Sequence, residues 1–113
     1  MDKITFQDKV IKLLNCNAYG IRRAMPRAQI LEQLQAQGAH IDDRQMRNWI
    51  QEIAPENLIA PSEDGYFIIS CESDYNAAVH QYESRIIALA AKKNATRDAF
   101  IKKFNKDPQL TLI

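Results

Sequence analysis

The chain has 113 residues, 46% of them apolar, with 15 Lys or Arg against 14 Asp or Glu and a net charge of +1. That length allows one domain with a modest core, and the composition is ordinary for a globular protein. No run is long and apolar enough to span a membrane, no signal peptide is expected, and Cys16, Cys71, His40 and His80 have no metal-ligand spacing. There is also no Gly-rich phosphate loop and no Ser, His and Asp set, so the expectation is a reduced, cytoplasmic, non-enzymatic protein without cofactor or metal.

In chain order, Thr5 is expected to cap a first helix whose Phe6, Val10, Leu13 and Leu14 share one face. That helix should end near Asn15, with a loop from Asn17 to Gly20. Pro26 suits the first turn of a second helix, where its missing N–H would be unpaired anyway. Ile30, Leu31 and Leu34 form that helix's buried stripe, and Gly38 is expected as its left-handed cap. Only Ala39 to Asp42 then separate it from a third helix, which is the length and Gly content of a helix-turn-helix corner.

The third helix has the strongest start signal. Asp42 can accept from the backbone N–H of Gln45, and Gln45 can reach back to that of Asp42, as in a capping box. Ile41 and Met46 are spaced as a hydrophobic staple. Met46, Trp49, Ile50 and Ile53 repeat at helical spacing and predict one apolar face. The opposite face carries Arg44, Asn48 and Gln51, flanked by Arg47 and Gln45. These side-chain types reach base edges and phosphates, although the same pattern also describes a merely solvated surface helix.

Beyond it, Asn57-Leu58-Ile59-Ala60 and Tyr66-Phe67-Ile68-Ile69 read as short strands. Pro61 to Gly65 reads as the turn between them, with Asp-Gly at a positive-φ corner. The order is therefore helix, loop, helix, turn, helix, hairpin. On the corner at Gly38, the helix from Asp43 to Ile53 and the hairpin ending in Gly65-Tyr66-Phe67-Ile68-Ile69, the stretch from Thr5 to Ser70 resembles the winged-helix family, in particular small winged-helix proteins of phages and prophages. The resemblance implies duplex DNA as a partner, with Arg44, Arg47, Asn48, Gln51 and Arg27 as the DNA-facing residues. Winged helices also serve as protein-interaction modules, because a fold does not set a function.

Charge weighs against strong DNA binding. Met1 to Ser70 holds eight Lys or Arg against nine Asp or Glu, and the hairpin tip carries Glu63 and Asp64. Phosphate contacts dominate DNA affinity, so an acidic tip and a net charge near zero predict weak or assisted binding. Positive charge does cluster at Arg22, Arg23 and Arg27 and again at Arg44 and Arg47.

From residue 71 the chain holds seven Lys or Arg against five Asp or Glu. Ser73 or Asp74 is expected to cap a long helix on which Tyr75, Val79, Tyr82, Ile86 and Leu89 follow at spacings of four, three, four and three. This seam either packs back on the first helix or pairs two copies as a homodimer. Lys92, Lys93, Arg97, Lys102, Lys103 and Lys106 follow, with Phe100 and Phe104 one turn apart.

Asn105-Lys106-Asp107-Pro108 should break the helix. The chain then closes on Gln109-Leu110-Thr111-Leu112-Ile113, which reads as a short linear motif for another protein's pocket or as a last edge strand. The run resembles the bacterial sliding-clamp-binding motif of Gln, Leu, a small or acidic residue, Leu and a bulky apolar residue. Ile113 departs from it, because Phe is commoner there. The resemblance makes Gln109, Leu110, Leu112 and Ile113 the partner-binding residues.

The expected architecture is mainly α with a small β-hairpin: a winged helix-turn-helix over 1–70, a helical extension over 71–106 and a flexible tail over 107–113. The expected function is a non-enzymatic DNA-binding accessory protein of phage or prophage type, associated with replication and tethered to the host sliding clamp. A transcription regulator and a clamp inhibitor that competes for the peptide groove are the alternatives.

Overall fold

Four α-helices and a two-stranded antiparallel sheet follow one another in a computed structural model that describes residues 1–105. Its elements are α1 (Lys3–Asn17), a single 3-10 turn (Ile21–Arg23), α2 (Arg27–Ala36), α3 (Asp43–Ile53), β1 (Ile59–Ser62), β2 (Gly65–Ile68) and α4 (Glu72–Phe104). The chain divides into two compact units, Met1–Ala78 and the remainder from Val79 onward.

In the first unit, α1, α2 and α3 pack on one another around Phe6, Val10, Leu14, Ile30, Leu34, Met46 and Ile50, all essentially solvent-free. The Phe6 ring meets Trp49 edge to face at 5.3 Å, and truncating a buried aromatic of this kind typically costs about 3–5 kcal/mol. Strand alternation then divides the hairpin between two clusters. Ile59 and Ile68 face the helical core, while their neighbours Ala60 and Phe67 pack with Ala78 at the start of α4.

The helix ends show where local chemistry moved a boundary. Asp2, not Thr5, caps α1: its carboxylate accepts from the Thr5 N–H at 2.8 Å. α1 runs past Asn15 because Asn15 and Asn17 donate their side-chain amides to Ile11 O and Leu13 O, reinforcing the helix they were expected to end. Pro26 is the cap of α2, not its first residue, and its carbonyl accepts from Gln29 and Ile30 at 3.0 and 3.1 Å.

Gly38 ends α2 as expected, at φ 105°. Its N–H reaches Gln35 O and that of Ala39 reaches Leu34 O, both at 3.0 Å, which is a Schellman closure. Asp42 caps α3 by accepting from Gln45 N–H at 2.8 Å. Among the described residues the reciprocal Gln45 contact is not formed, so half of the capping box is present. Ile41 packs against the cluster that holds Met46, as the staple requires.

The hairpin is shifted from its expected place. Pro61 lies inside β1, paired with Tyr66, and the loop is only Glu63 and Asp64. Proline is tolerated there because Tyr66 turns its own N–H and C=O away from Pro61, to Met25, at 3.0 and 2.8 Å. β2 is thus bonded on both edges: Ile68 N–H also reaches Ala18 O at 2.8 Å and Gly20 N–H reaches Ile68 O at 2.9 Å. Gly65 permits the approach, since a Cβ there would stand 1.9 Å from Met25 O.

Neither Ser73 nor Asp74 caps α4. The helix starts at Glu72, and Asp74 reaches back from inside it to accept from the N–H and hydroxyl of Ser70 at 3.0 and 2.7 Å. α4 then runs without interruption to Phe104, where Asn105 adopts φ 50°. Of the seam, Val79 is half-buried, while Tyr75, Tyr82, Ile86 and Leu89 are 54%, 45%, 65% and 66% exposed and so are not covered by the described residues of the chain.

Candidate nucleic-acid interface

The exposed side of α3 follows from the same periodicity that buries Met46 and Ile50. Arg44, Asn48 and Gln51 stand four and three residues apart on that side, all exposed. Among the described residues, none of the three makes a side-chain hydrogen bond or ion pair. Their donors and acceptors are directed at solvent, on a helix anchored from behind by Trp49 and Ile53.

A second group stands beside this stripe. Asp43 Oδ1 takes Arg27 Nε at 2.7 Å and Asp43 Oδ2 lies 3.1 Å from Arg47 Nε. The Arg47 Nε is itself shielded from solvent and out of line for a hydrogen bond. Tyr66 of β2 completes the group. Burial pushes its phenol above the ordinary range, against the pull of Arg27 and Arg47, while Asp43 pushes in the same direction as burial.

The structure therefore divides the five residues expected to face DNA. Arg44, Asn48 and Gln51 are brought together and unoccupied by one another. Arg27 and Arg47 are brought together too, but around a carboxylate that offsets one of their two charges. Asp43 and Tyr66 were absent from the sequence-based set. The Asp43–Arg47 contact had a signal in its i, i+4 spacing. The Arg27–Asp43 contact had none, because the two residues lie on different helices.

Arg22 and Arg23 are exposed on the 3-10 turn, and Glu63 and Asp64 are exposed at the hairpin tip. The tip is held by Ser62, whose hydroxyl accepts from Asp64 N–H at 3.2 Å and donates to Gly65 O at 3.3 Å. On another side of α3, Glu52 takes Lys3 at 3.1 Å and Gln7 at 2.9 Å, and these partners hold its carboxyl below the usual range. Glu52 is thereby committed to joining α1 and α3.

In the unit from Val79 onward, the Phe100 and Phe104 ring centres lie 4.7 Å apart with their planes tilted by 36°, and Lys103 Nζ lies 5.4 Å from the Phe104 ring centre. The expected partner-binding residues Gln109, Leu110, Leu112 and Ile113 lie outside the described residues. Among the described residues no helix is long and apolar enough to cross a membrane. No protein-family model, no curated protein and no solved structure matches this chain.

Proposed function

We propose that this chain is a winged-helix protein that binds duplex DNA through α3, and that it serves as a phage- or prophage-type accessory factor of replication tethered to a bacterial sliding clamp. The observation that carries the DNA reading is the stripe Arg44, Asn48 and Gln51, exposed and, among the described residues, without a side-chain hydrogen bond or ion pair, on a capped helix. An α-helix fits the major groove, where Arg reads guanine and Asn or Gln reads adenine. The order of three helices and a hairpin, with Met25 pairing on β2 ahead of α2, supports the winged-helix reading.

Affinity should be modest. The first seventy residues are near neutral, and Asp43 occupies two of the cations nearest the stripe. A second attachment would offset this by raising the effective concentration of the domain at DNA. The clamp reading rests on the run Gln109-Leu110-Thr111-Leu112-Ile113, in which Leu110, Leu112 and Ile113 would fill an apolar groove and Gln109 would bond at its rim.

The exposed acidic tip, Glu63 and Asp64, favours a second reading, in which the domain contacts protein and the tail inhibits the clamp by competition. Anisotropy titration of a labelled duplex at low salt separates the two. Binding that is weakened at least tenfold by Arg44→Ala with Asn48→Ala supports DNA recognition. No binding by the unaltered protein at low salt, where the phosphate contribution is greatest, removes it.

A further inference from the structure

We infer that α4 is a self-association element and that it pairs antiparallel with α4 of a second copy. A 33-residue helix spans about 50 Å, and from Tyr82 to Phe100 the described chain buries none of it. A solitary helix in water is marginal, and helices in proteins owe most of their stability to a packed apolar face. Among the described residues nothing covers that face: Tyr75, Tyr82, Ile86, Leu89, Phe100 and Phe104 lie on one side and are 39% to 66% exposed.

The pattern of charge says what covers it. Residues 72 to 84 carry Glu72, Asp74 and Glu83 and no Lys or Arg, whereas residues 85 to 104 carry six Lys or Arg and one Asp. Two parallel copies would set basic half against basic half along the C-terminal two thirds of the helix. Two antiparallel copies set each basic half against the other's acidic start. Charge complementarity of this kind, between a helix and its own reversed copy, fixes relative direction in helix pairs.

The seam is also complementary to its own reversal. Continued at heptad spacing beyond Leu89 it meets Lys93, Thr96 and Phe100. In a parallel pair Lys93 would face Lys93. With a two-fold axis between Ile87 and Ala88, the positions facing each other are Ile86 with Leu89, Tyr82 with Lys93, Val79 with Thr96 and Tyr75 with Phe100. That gives an aliphatic centre, a cation over an aromatic ring, a pair of β-branched residues and an aromatic pair. Both copies present the same patch, as an isologous interface demands.

The inference is tested on the full chain. Light scattering should give twice the chain mass. In a background of Cys16→Ser with Cys71→Ser, Val79→Cys together with Thr96→Cys should form a covalent dimer on mild oxidation. Val79→Cys alone should not, because its two copies would lie about 25 Å apart along the pair. Ile86→Asp should return the protein to the chain mass. A chain that is monomeric at every concentration, with α4 occupied by nucleic acid or by nothing, overturns the inference. A covalent dimer from Val79→Cys alone overturns the antiparallel direction.

Discussion

Arg27 on α2 and Asp43 on α3 meet at 2.7 Å across the corner between the two helices, and the same carboxylate takes Arg47 from one turn further along α3. One acidic residue therefore orients two of the cations nearest the exposed stripe of α3 and offsets part of their charge. In the proposed function it sets the ceiling on phosphate contacts, because a carboxylate beside both guanidinium groups offsets the charge that would attract phosphate.

Asp43→Asn should raise duplex affinity severalfold and steepen its salt dependence. Each additional phosphate that the protein neutralises adds about 0.9 to the slope of log K against log salt. Stability should change by less than about 1 kcal/mol, since all three side chains are 39% to 49% exposed and pairs of that kind contribute little. Anisotropy titrations at several salt concentrations, with a parallel urea melt, check both numbers.

Gly65→Ala should destabilise the first unit by more than about 2 kcal/mol. Two causes act together. Gly65 sits at φ 132°, which L side chains rarely adopt, and the added Cβ would fall 1.9 Å from Met25 O and 2.8 Å from Pro26 Cα, both backbone atoms. Denaturant unfolding at constant m-value is the measurement. A change below about 0.5 kcal/mol would mean that the Met25 and β2 segments do not lie together.

Asp74→Asn should cost about 1–3 kcal/mol at neutral pH, through loss of charge-assisted hydrogen bonds. Asp74 is 5% exposed, and the Ser70 N–H, more than burial opposes it, holds the carboxyl below its ordinary value of 3.8, with the Ser70 hydroxyl adding to the effect. A carboxyl depressed in the folded state stabilises it above the unfolded value, and the stabilisation is lost as pH falls through the folded value. Melting temperature of the unaltered protein should therefore drop as pH is lowered below about 3.8. The Asn variant should be less stable at neutral pH and show a flatter acid limb.

Removing residues 109–113, or replacing Gln109 and Leu112 by Ala, should abolish retention on an immobilised bacterial sliding clamp and leave duplex affinity unchanged. Ile113→Phe should tighten retention, because a larger ring buries more apolar area. A peptide of the last dozen residues should compete. Retention that survives the deletion would assign the clamp contact to another part of the chain.

The legible parts of the fold were those where one local signal suffices. Asp42, three residues before the N–H it takes, announced the start of α3, and Gly38 announced the end of α2 because only a residue tolerant of φ 105° closes that turn cheaply. The hairpin register was misplaced because Pro61 suits a turn by composition. Its position in β1 is decided by Tyr66 bonding outward to Met25, a contact some forty residues away in sequence. The start of α1 was misplaced for a smaller reason, Asp2 competing with Thr5 for the same cap. Of the candidate site, the exposed stripe of α3 was legible from periodicity. The carboxylate that restrains Arg27 was not, since pairing between helices leaves no trace in spacing.

In the proposed function α3 is the surface that meets DNA. The most direct measurement is an amide-resolved NMR titration of the full chain with a short duplex at low salt. The largest shifts should fall at residues 43–51, centred on Arg44, Asn48 and Gln51, with smaller ones at Arg27 and Tyr66. An unchanged spectrum, or shifts confined to the Lys92–Lys103 stretch of α4, would contradict the claim.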